Sequence, residues 1–276
     1  MKLGFTTLGC PDWTLQQVAE NAAKMGFDGV ELRTHKDGNH FSLTASAQER
    51  KDARALFEKA GSRVFSIMAY TTFAMPDDAA RAQNVADLKA AIQLAVDLGA
   101  DRIRSFVGKI APGEDRTVVI DRAARAIAEC ARDAEKAGVH IGFETHDDWC
   151  DAANLKLLME KIGSPNFGVV WDFFNAYTST GQTIKQTFEA VKPYIKYCHA
   201  KDGVKGGDGK WNYVIPGTGQ IPFKEVVKCL KSIKFDGFLS FEHEKKWHPE
   251  LPPPEEAFPK YVEYMRGLIS GRKRKK

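Results

Sequence analysis

The sequence predicts one α/β domain built as a single closed (β/α)8 barrel, and three observations support this prediction. Short apolar or β-branched runs alternate with longer amphipathic segments along the whole chain, which is the pattern of a parallel sheet covered by helices. The chain has 276 residues, and a barrel of this type typically needs about 250. No Gly-x-Gly-x-x-Gly motif follows the first strand, which weakens the competing open sheet of a dinucleotide-binding domain.

Eight strands are predicted from the runs bounded by turn-forming residues, and eight helices alternate with them. The strands cover residues 3–7, 29–33, 63–70, 102–107, 139–145, 167–172, 195–201 and 237–243. Segments 15–25, 81–98 and 117–137 are examples of the amphipathic pattern that predicts the helices. Several helices end in a glycine that can take the left-handed conformation of a helix C-terminus, and a strand soon follows. These glycines are Gly26, Gly61, Gly99 and Gly138.

No linker-like composition interrupts the chain, so residues 1–271 are predicted to form the barrel as one catalytic domain. Residues 272–276 read Arg-Lys-Arg-Lys-Lys and predict a basic, flexible tail. Without this tail the net charge of +4 falls to about −1, so the body carries no basic stripe for nucleic acid. Residues 202–219 and 244–254 predict long loops at the C-terminal rim, where barrel enzymes hold their active sites.

Cysteine usage and the N-terminus indicate a cytoplasmic protein. The five cysteines are widely spaced and form no Cys-x-x-Cys pair, so neither a disulfide framework nor a structural zinc site is indicated. The chain starts with a strand-like run and shows no signal-peptide pattern. No apolar stretch approaches the length of a membrane span. We therefore predict neither a membrane nor a nucleic-acid partner.

Four consecutive predicted strands end in a residue that can bind a metal ion: Glu144, Asp172, His199 and Glu242. A charged group inside a buried strand costs several kcal/mol unless it is paired or bound to a cation. Neighbouring barrel strands bring these ends together above one mouth, where the carboxylates would repel one another. The sequence therefore predicts one divalent metal ion. Glu242 is preferred to Glu244 because it lies within its predicted strand.

The type of ligand suggests the metal. Three carboxylates and one histidine make an oxygen-rich site that suits Mn²⁺, Mg²⁺ or Co²⁺ with five or six ligands. Zn²⁺ fits a tetrahedral version of the site, which would leave little room for water and substrate. Mn²⁺ is the favoured prediction, and the other ions remain open.

Five strings resemble the xylose isomerase-like barrel superfamily, in matching order and over nearly the whole chain. They are GVELR at 29–33, FETH at 143–146, WDFFN at 171–175, HAKD at 199–202 and FEHE at 241–244. Within this superfamily the chain is most similar to sugar and sugar-phosphate isomerases and epimerases of the tagatose epimerase and inosose-processing type. The order Glu, Asp, His, Glu is specific to the superfamily but not to one substrate.

The resemblance implies that Glu144 and Glu242 act as acid and base on opposite faces of the substrate. One carboxylate removes a proton next to a carbonyl, a metal ion stabilises the enediolate, and the other carboxylate returns the proton. We therefore predict a metal-dependent isomerase or epimerase of a keto-sugar or sugar phosphate. Asn175 stands where the related epimerases tend to have a histidine. A metal-dependent lyase or dehydratase of a sugar or cyclitol ketone therefore remains open.

Further residues are predicted to bind substrate, each with a structural alternative. Lys201 can steady an oxyanion or form an ion pair, and His146 can contact substrate or only stand at the rim. Asn175 can donate a hydrogen bond to a substrate oxygen. Trp211 can cover a sugar face or anchor its loop. Glu31 can orient a substrate hydroxyl or pair with one of two arginines, Arg33 and Arg104.

The predicted partner is a small carbohydrate, and the resemblance makes a homo-oligomer possible. Trp13 and Trp247 are expected either to wall the mouth or to pack in the core. A DNA-repair endonuclease of the same barrel type is excluded because its three-zinc cluster needs additional histidines. Residues 69–72 and 105–107 contain none, and position 175 is an asparagine. A non-catalytic barrel that only keeps the metal remains open.

Overall fold

The computed structural model describes residues 1–35, 37 and 40–271 of the chain. Within them eight parallel strands close into a barrel, which confirms the predicted fold, and two further strands form an antiparallel hairpin beside it. The predicted tail at 272–276 lies outside the described residues. The strands are β1 (Lys2–Thr6), β2 (Gly29–Arg33), β3 (Val64–Met68), β4 (Arg102–Ser105), β5 (His140–Glu144), β6 (Phe167–Asp172), β7 (Ile195–Ala200), β8 (Asp202–Lys205), β9 (Trp211–Val214) and β10 (Phe238–Phe241).

Strand order follows the chain around the barrel. β1 to β7 are neighbours in sequence order, and β10 closes the ring between β7 and β1. Most strands are shorter than predicted at their C-terminal ends, because the backbone leaves the ladder to form the rim. Glu242 therefore lies one residue beyond β10 and not inside it, although its N–H still donates to the Ala200 carbonyl at 3.2 Å.

Ten α-helices are present in the described part of the chain, where eight were expected. Two of the predicted connections each contain two helices. Segment 117–137 divides near Cys130, where the hydrogen bonds change to the tighter three-residue spacing. The helices are α1 (Leu15–Lys24), α2 (Ala47–Lys59), α3 (Asp78–Leu98), α4 (Arg116–Ala128), α5 (Ala131–Ala137), α6 (Ala152–Ile162), α7 (Phe173–Thr180), α8 (Ile184–Val191), α9 (Phe223–Ser232) and α10 (Pro254–Ser270).

Side chains with local hydrogen-bonding capacity fix the helix starts. Thr14, Ser46 and Thr183 each cap a helix whose third residue returns a side-chain hydrogen bond to the capping residue. At the other ends, the four predicted glycines adopt φ between +64° and +81°, as the left-handed termination requires. These local signals explain why the repeated helix–glycine–strand unit was readable from sequence.

The segment at 202–219, expected as a loop, contains the β8–β9 hairpin. The Asp202 carboxylate stabilises it by accepting backbone N–H groups across the segment. The donors are Gly203 (2.8 Å), Gly217 (2.8 Å), Gly219 (3.0 Å) and Ile221 (3.1 Å). One buried carboxylate thus satisfies four amides that would otherwise lack partners. The second predicted loop runs to Pro253, and α10 begins with proline at its first position.

The interior of the barrel is filled below the mouth. Phe65, Val170, Tyr197 and Phe238 form a separate apolar cluster inside it, and the rings of Phe65 and Phe238 stack with their centroids 3.8 Å apart. This apolar cluster, called the plug below, fills the middle of the barrel. The open space inside the barrel therefore lies at the C-terminal ends of the strands, and polar side chains at those ends face it.

Close strand contacts near the plug depend on glycine. A Cβ at Gly168 would collide with the carbonyl oxygen of Tyr194 and with the Lys196 side chain. We expect Gly168→Ala to lower the free energy of unfolding by about 1–3 kcal/mol, as measured by denaturant titration. Gly207→Ala is the matched control, because a Cβ there meets nothing within 4 Å. Equal stability of the two variants would contradict this reading of the contact.

None of the described helices combines the length and the apolar character that crossing a membrane requires.

Candidate metal centre

The four predicted metal ligands meet at the C-terminal end of the barrel. Glu144 and Asp172 are the last residues of β5 and β6, His199 lies near the end of β7, and Glu242 follows β10. These four strands are consecutive neighbours around the barrel. One ligand atom from each residue lies within 4.8 Å of the others, and all four residues are buried. Strand register therefore places three carboxylates and one imidazole around one point.

Several polar atoms at this point have no hydrogen bond within the described residues. They are both carboxylate oxygens of Glu144, Oδ2 of Asp172 and Nδ1 of His199. Buried polar atoms are normally hydrogen-bonded. Here they have ion-pair contacts instead, with one another and with Lys201 and Arg104, and a cation between them would satisfy their remaining lone pairs. Each of these atoms is a potential metal ligand, and the set is rich in oxygen. The residues therefore fit a divalent cation of the Mn²⁺ or Mg²⁺ class, and Zn²⁺ also accepts such ligands.

The electrostatics of the cluster favour positive charge at His199. Nδ1 lies 3.3 Å from Glu144 Oε1 and 3.2 Å from Glu242 Oε2. Burial alone lowers the pKa of this imidazole, but Glu242, Glu31 and Glu144 together raise it well above its ordinary value. Conversely, burial raises the pKa of Glu242, but His199 and Lys201 hold it well below its ordinary value. The carboxylates thus stabilise a cation at the centre of the group.

Lys201 forms a buried ion-pair network beside these residues. Its ammonium nitrogen lies 2.7 Å from Asp172 Oδ2, 2.7 Å from Glu242 Oε2 and 3.2 Å from Glu244 Oε1. Burial lowers the pKa of Lys201, but these carboxylates raise it well above its ordinary value. The structural alternative for Lys201, an ion pair, is therefore present. Glu242 belongs to the candidate metal-ligand group. Glu244 does not, and its carboxylate forms an ion pair with Lys201.

Glu31 lies behind His199, inside the barrel. Its Oε2 lies 3.0 Å from His199 Nε2 and accepts from the Ser240 hydroxyl at 2.8 Å, and its Oε1 accepts from the Tyr197 hydroxyl at 2.5 Å. The alternative in which Glu31 pairs with an arginine is not seen among the described residues. Arg33 pairs with Asp37, and Arg104 approaches Glu144. The reason is barrel closure, which brings the Glu31 carboxylate across the interior to β7.

The contact between Glu31 and His199 orients the imidazole. When Nε2 donates to the carboxylate, Nδ1 is the nitrogen that remains for a metal ion. We expect Glu31→Gln to weaken binding of Mn²⁺ by about 10–100-fold, because a neutral amide holds the ring less firmly and lowers its basicity. Competition with a fluorescent chelator measures this affinity. Exposed Glu135 provides the matched Glu→Gln control, and an equal affinity in both variants would exclude this role for Glu31.

A cavity of about 240 Å³ opens above the cluster. This volume is below the roughly 300–1,000 Å³ typical of drug-sized ligands, so it suits a small molecule. Of the residues predicted to bind substrate, His146 and Lys201 line it, and Trp247 forms part of its wall. The full lining is Leu8, Tyr70, Arg104, Phe106, Glu144, His146, Lys201, Glu242, Glu244 and Trp247.

Asn175, Trp211 and Glu31 do not line this cavity. The backbone N–H of Asn175 donates to Asp172 Oδ1 at 2.8 Å, because Asp172 caps α7 and the helix begins directly after β6. Trp211 packs its ring 5.8 Å from Phe174, so it anchors the hairpin to α7. The observed contacts are capping of α7 at Asn175, anchoring of the hairpin at Trp211 and orientation of the histidine at Glu31; contacts of these three side chains with substrate stay predictions.

Besides Leu8, the sequence analysis missed three residues of the cavity lining. Tyr70 follows β3, Arg104 lies in β4, and Phe106 follows β4. Arg104 is 2% exposed, and its guanidinium carbon lies 4.0 Å from the centroid of the Phe106 ring and 4.8 Å from that of Tyr70. The sequence contained a signal for Arg104. It is a charged residue inside a predicted buried strand, which is the same observation that identified Glu144.

A wider groove of about 640 Å³ lies on the flank of the barrel. It is lined by residues of α1 and α2 and the segment between β2 and α2, including Leu15, Phe41 and Leu56. None of the four convergent ligands borders it. The smaller cavity, which contains Glu144 and Glu242, is therefore the candidate site.

Comparisons with known proteins agree with this architecture. The family described as xylose isomerase-like TIM barrel matches residues 19–268. Fructoselysine 3-epimerase of Shigella flexneri is 22% identical over 261 residues, covering 88% of this chain and 90% of that protein. Two solved structures share the fold. An IolI protein with a bound zinc atom has a TM-score of 0.83 at 18% identity, with 100% of both chains covered. A D-psicose 3-epimerase studied with D-fructose has a TM-score of 0.81 at 17% identity, covering 98% of this chain and 100% of that one.

Proposed function

Because the chain belongs to the xylose isomerase-like TIM barrel family, we propose that it is a divalent-metal-dependent epimerase or isomerase of a keto-sugar or sugar phosphate. The observation that carries this proposal is the buried group of Glu144, Asp172, His199 and Glu242 at the floor of a small cavity. The relatives named above as 3-epimerases support the same class of reaction here.

The four residues would hold one divalent ion, with Mn²⁺ as the first choice. A bound ion would supply the positive charge that stabilises an enediolate at the carbonyl and adjacent hydroxyl of the substrate. A zinc atom bound by the related IolI protein supports a metal-dependent reaction without deciding which metal this chain uses. Glu31 keeps the His199 ring oriented, and the N-terminus of α7 holds Asp172 through the Asn175 N–H.

Glu144 and Glu242 are the proposed acid and base. Both line the cavity, and they come from strand ends that are separated by β6 and β7. One carboxylate therefore can take the proton next to the carbonyl while the other returns a proton from the opposite face, which inverts the carbon. Return of the proton to the neighbouring carbon instead gives isomerisation. Burial of both carboxylates keeps bulk water away from the reacting carbon.

Lys201 and His146 are the proposed substrate contacts. The Lys201 ammonium is held between carboxylates at the cavity wall, where its positive charge would stabilise negative charge that develops on a substrate oxygen. The His146 side chain lies at the rim and is 42% exposed, so it can contact a substrate hydroxyl without first losing a buried partner.

Solvent deuterium exchange tests this proposal. The Mn²⁺-loaded protein is incubated in D₂O with a panel of keto-sugars and their phosphates, with Mg²⁺, Co²⁺ and Zn²⁺ forms in parallel. NMR is expected to show deuterium on a carbon next to the carbonyl of at least one compound, together with an epimer or isomer. A product lighter by one water would instead identify a dehydratase. Absence of exchange with every compound would reject the enzyme and favour a binding barrel.

A further inference from the structure

Arg104 lines the cavity and has a buried N–H donor that no group of the described residues accepts. Its Nη1 donates to the Ala69 carbonyl at 3.2 Å. Its Nε lies 3.3 Å from Glu144 Oε2 but makes no hydrogen bond. Of the Arg104 nitrogens, Nε is thus buried without a hydrogen bond among the described residues. A guanidinium carries five N–H donors, and unused donors on a side chain that is 2% exposed are costly. An acceptor inside the cavity would satisfy them.

Aromatic rings hold the guanidinium in place. Its carbon lies 4.0 Å from the centroid of Phe106 and 4.8 Å from that of Tyr70, and such contacts over the ring faces leave the N–H edge free. Tyr70 accepts a hydrogen bond from Arg33 Nε at 3.0 Å, so its own hydroxyl hydrogen is available to donate. Tyr70, Arg104 and His146 all line the cavity. This wall therefore offers donors, whereas the floor offers the carboxylates.

Charge distinguishes Arg104 from Lys201, the other permanently charged cation of the described cavity lining. Lys201 has carboxylate oxygens from three residues within 3.2 Å. Arg104 has only Glu144 within ion-pair distance, at 3.3 Å, and Glu144 also belongs to the candidate metal-ligand group. Glu242 and Glu31 act on the Arg104 guanidinium only at longer range. Of these two cations, Arg104 is therefore the one with fewer direct carboxylate contacts, and its N–H edge is better placed to bind a carboxylate of the substrate.

We infer that the substrate is a small keto compound that carries a carboxylate, and that Arg104 binds this carboxylate with help from the Tyr70 hydroxyl. The forked N–H edge of arginine matches the two oxygens of a carboxylate. A cavity of about 240 Å³ requires the carboxylate and the reacting carbonyl to belong to one small molecule. This inference rests on the proposed function, because it assumes that the carbonyl lies over Glu144 and Glu242.

A matched pair of ligands tests the inference. L-Sorbose and 5-keto-D-gluconate share a carbon skeleton and differ only in a terminal hydroxymethyl group that is a carboxylate in the second. Calorimetric titration of the Mn²⁺-loaded protein is expected to show at least about tenfold tighter binding of the keto acid. Arg104→Met and Arg104→Lys should each remove most of this preference, since lysine keeps the charge but lacks the fork. Tyr70→Phe should reduce it by a smaller factor.

Arg102→Met is the matched control, because Arg102 lies on the same strand and face as Arg104 but at the opposite end of the barrel. It should keep the preference. Three outcomes would overturn the inference. The first is a native protein that binds the keto acid no more tightly than sorbose, including no binding of either, and the second is an Arg104→Met variant that keeps both its affinity and the preference because the carboxylate contacts the metal. The third is an equal loss for both ligands, because it would show that Arg104 only positions Glu144.

Failure of the inference and failure of the proposed function give different results. Deuterium exchange into both ligands with equal KM would leave the proposed function standing and reject the carboxylate preference. The opposite result is also distinguishable. If the keto acid binds more tightly and this depends on Arg104, but no keto compound exchanges deuterium, the epimerase or isomerase is rejected and carboxylate recognition stands.

Discussion

Replacing Glu144 by Gln is expected to lower the rate of substrate deuterium exchange by about 10²–10⁴-fold, and Glu242→Gln should have an effect of the same size. Glutamine has nearly the same shape as glutamate, but it cannot accept a proton near neutral pH. The amide oxygen can still approach a metal ion, so the variant separates loss of the base from loss of the site. Because Glu144 is 1% exposed, no water-borne base can readily replace it.

The measurement combines exchange rate with metal content. Because loss of a charged ligand weakens metal binding, both variants are measured at Mn²⁺ concentrations that restore the metal content of the native protein, and both should keep a cooperative thermal transition. Glu263→Gln on the exposed side of α10 is the control and should leave the exchange rate unchanged. Exchange at the native rate in Glu144→Gln would remove this residue from the chemistry. If both variants exchange normally, the acid–base scheme is wrong as a whole.

The fold was predictable because its signals are local. Alternation of apolar runs with amphipathic segments, and glycines such as Gly99 and Gly138 at helix ends, depend on neighbours in the chain. Two features of the fold were missed, each for its own reason. The break at Cys130 falls inside a continuous amphipathic stretch, and the β8–β9 hairpin depends on the carboxylate of Asp202, which contacts residues up to 19 positions away.

The metal-ligand group was predictable because charge in a buried strand requires a partner, whatever the details of packing. The residues around it were less predictable. Glu31 meets His199 only because the barrel closes, at a separation of 168 residues. The backbone N–H of Asn175 donates to the capping carboxylate of Asp172 because α7 begins directly after β6 without an intervening loop. The assignments of Glu144, Asp172, His199 and Glu242 to their roles, a cytoplasmic location and a possible homo-oligomer stay predictions.

Removing the metal is expected to abolish exchange and to lower the melting temperature. Glu144, Asp172 and Glu242 bring three carboxylates into one buried group, and a divalent ion that binds only the folded chain stabilises it. At a free metal concentration of 100 times Kd this linkage contributes about 2.7 kcal/mol, which corresponds to a rise of roughly 5–10 °C for a domain of this size. Differential scanning calorimetry of chelator-treated protein, with and without added Mn²⁺, measures the rise.

Two matched Asp→Asn variants decide whether the rise comes from this group of residues. Asp172→Asn removes a charged ligand and should lose most of the metal-dependent rise. Asp202→Asn changes another buried carboxylate, two strands further along the chain. Asp202 accepts four backbone N–H groups and does not belong to the ligand group. It should melt at a lower temperature than the native protein yet keep the full response to Mn²⁺. A full response in Asp172→Asn, or none in the native protein, would mean that these carboxylates are held together by Lys201 and Arg104 and not by a metal ion.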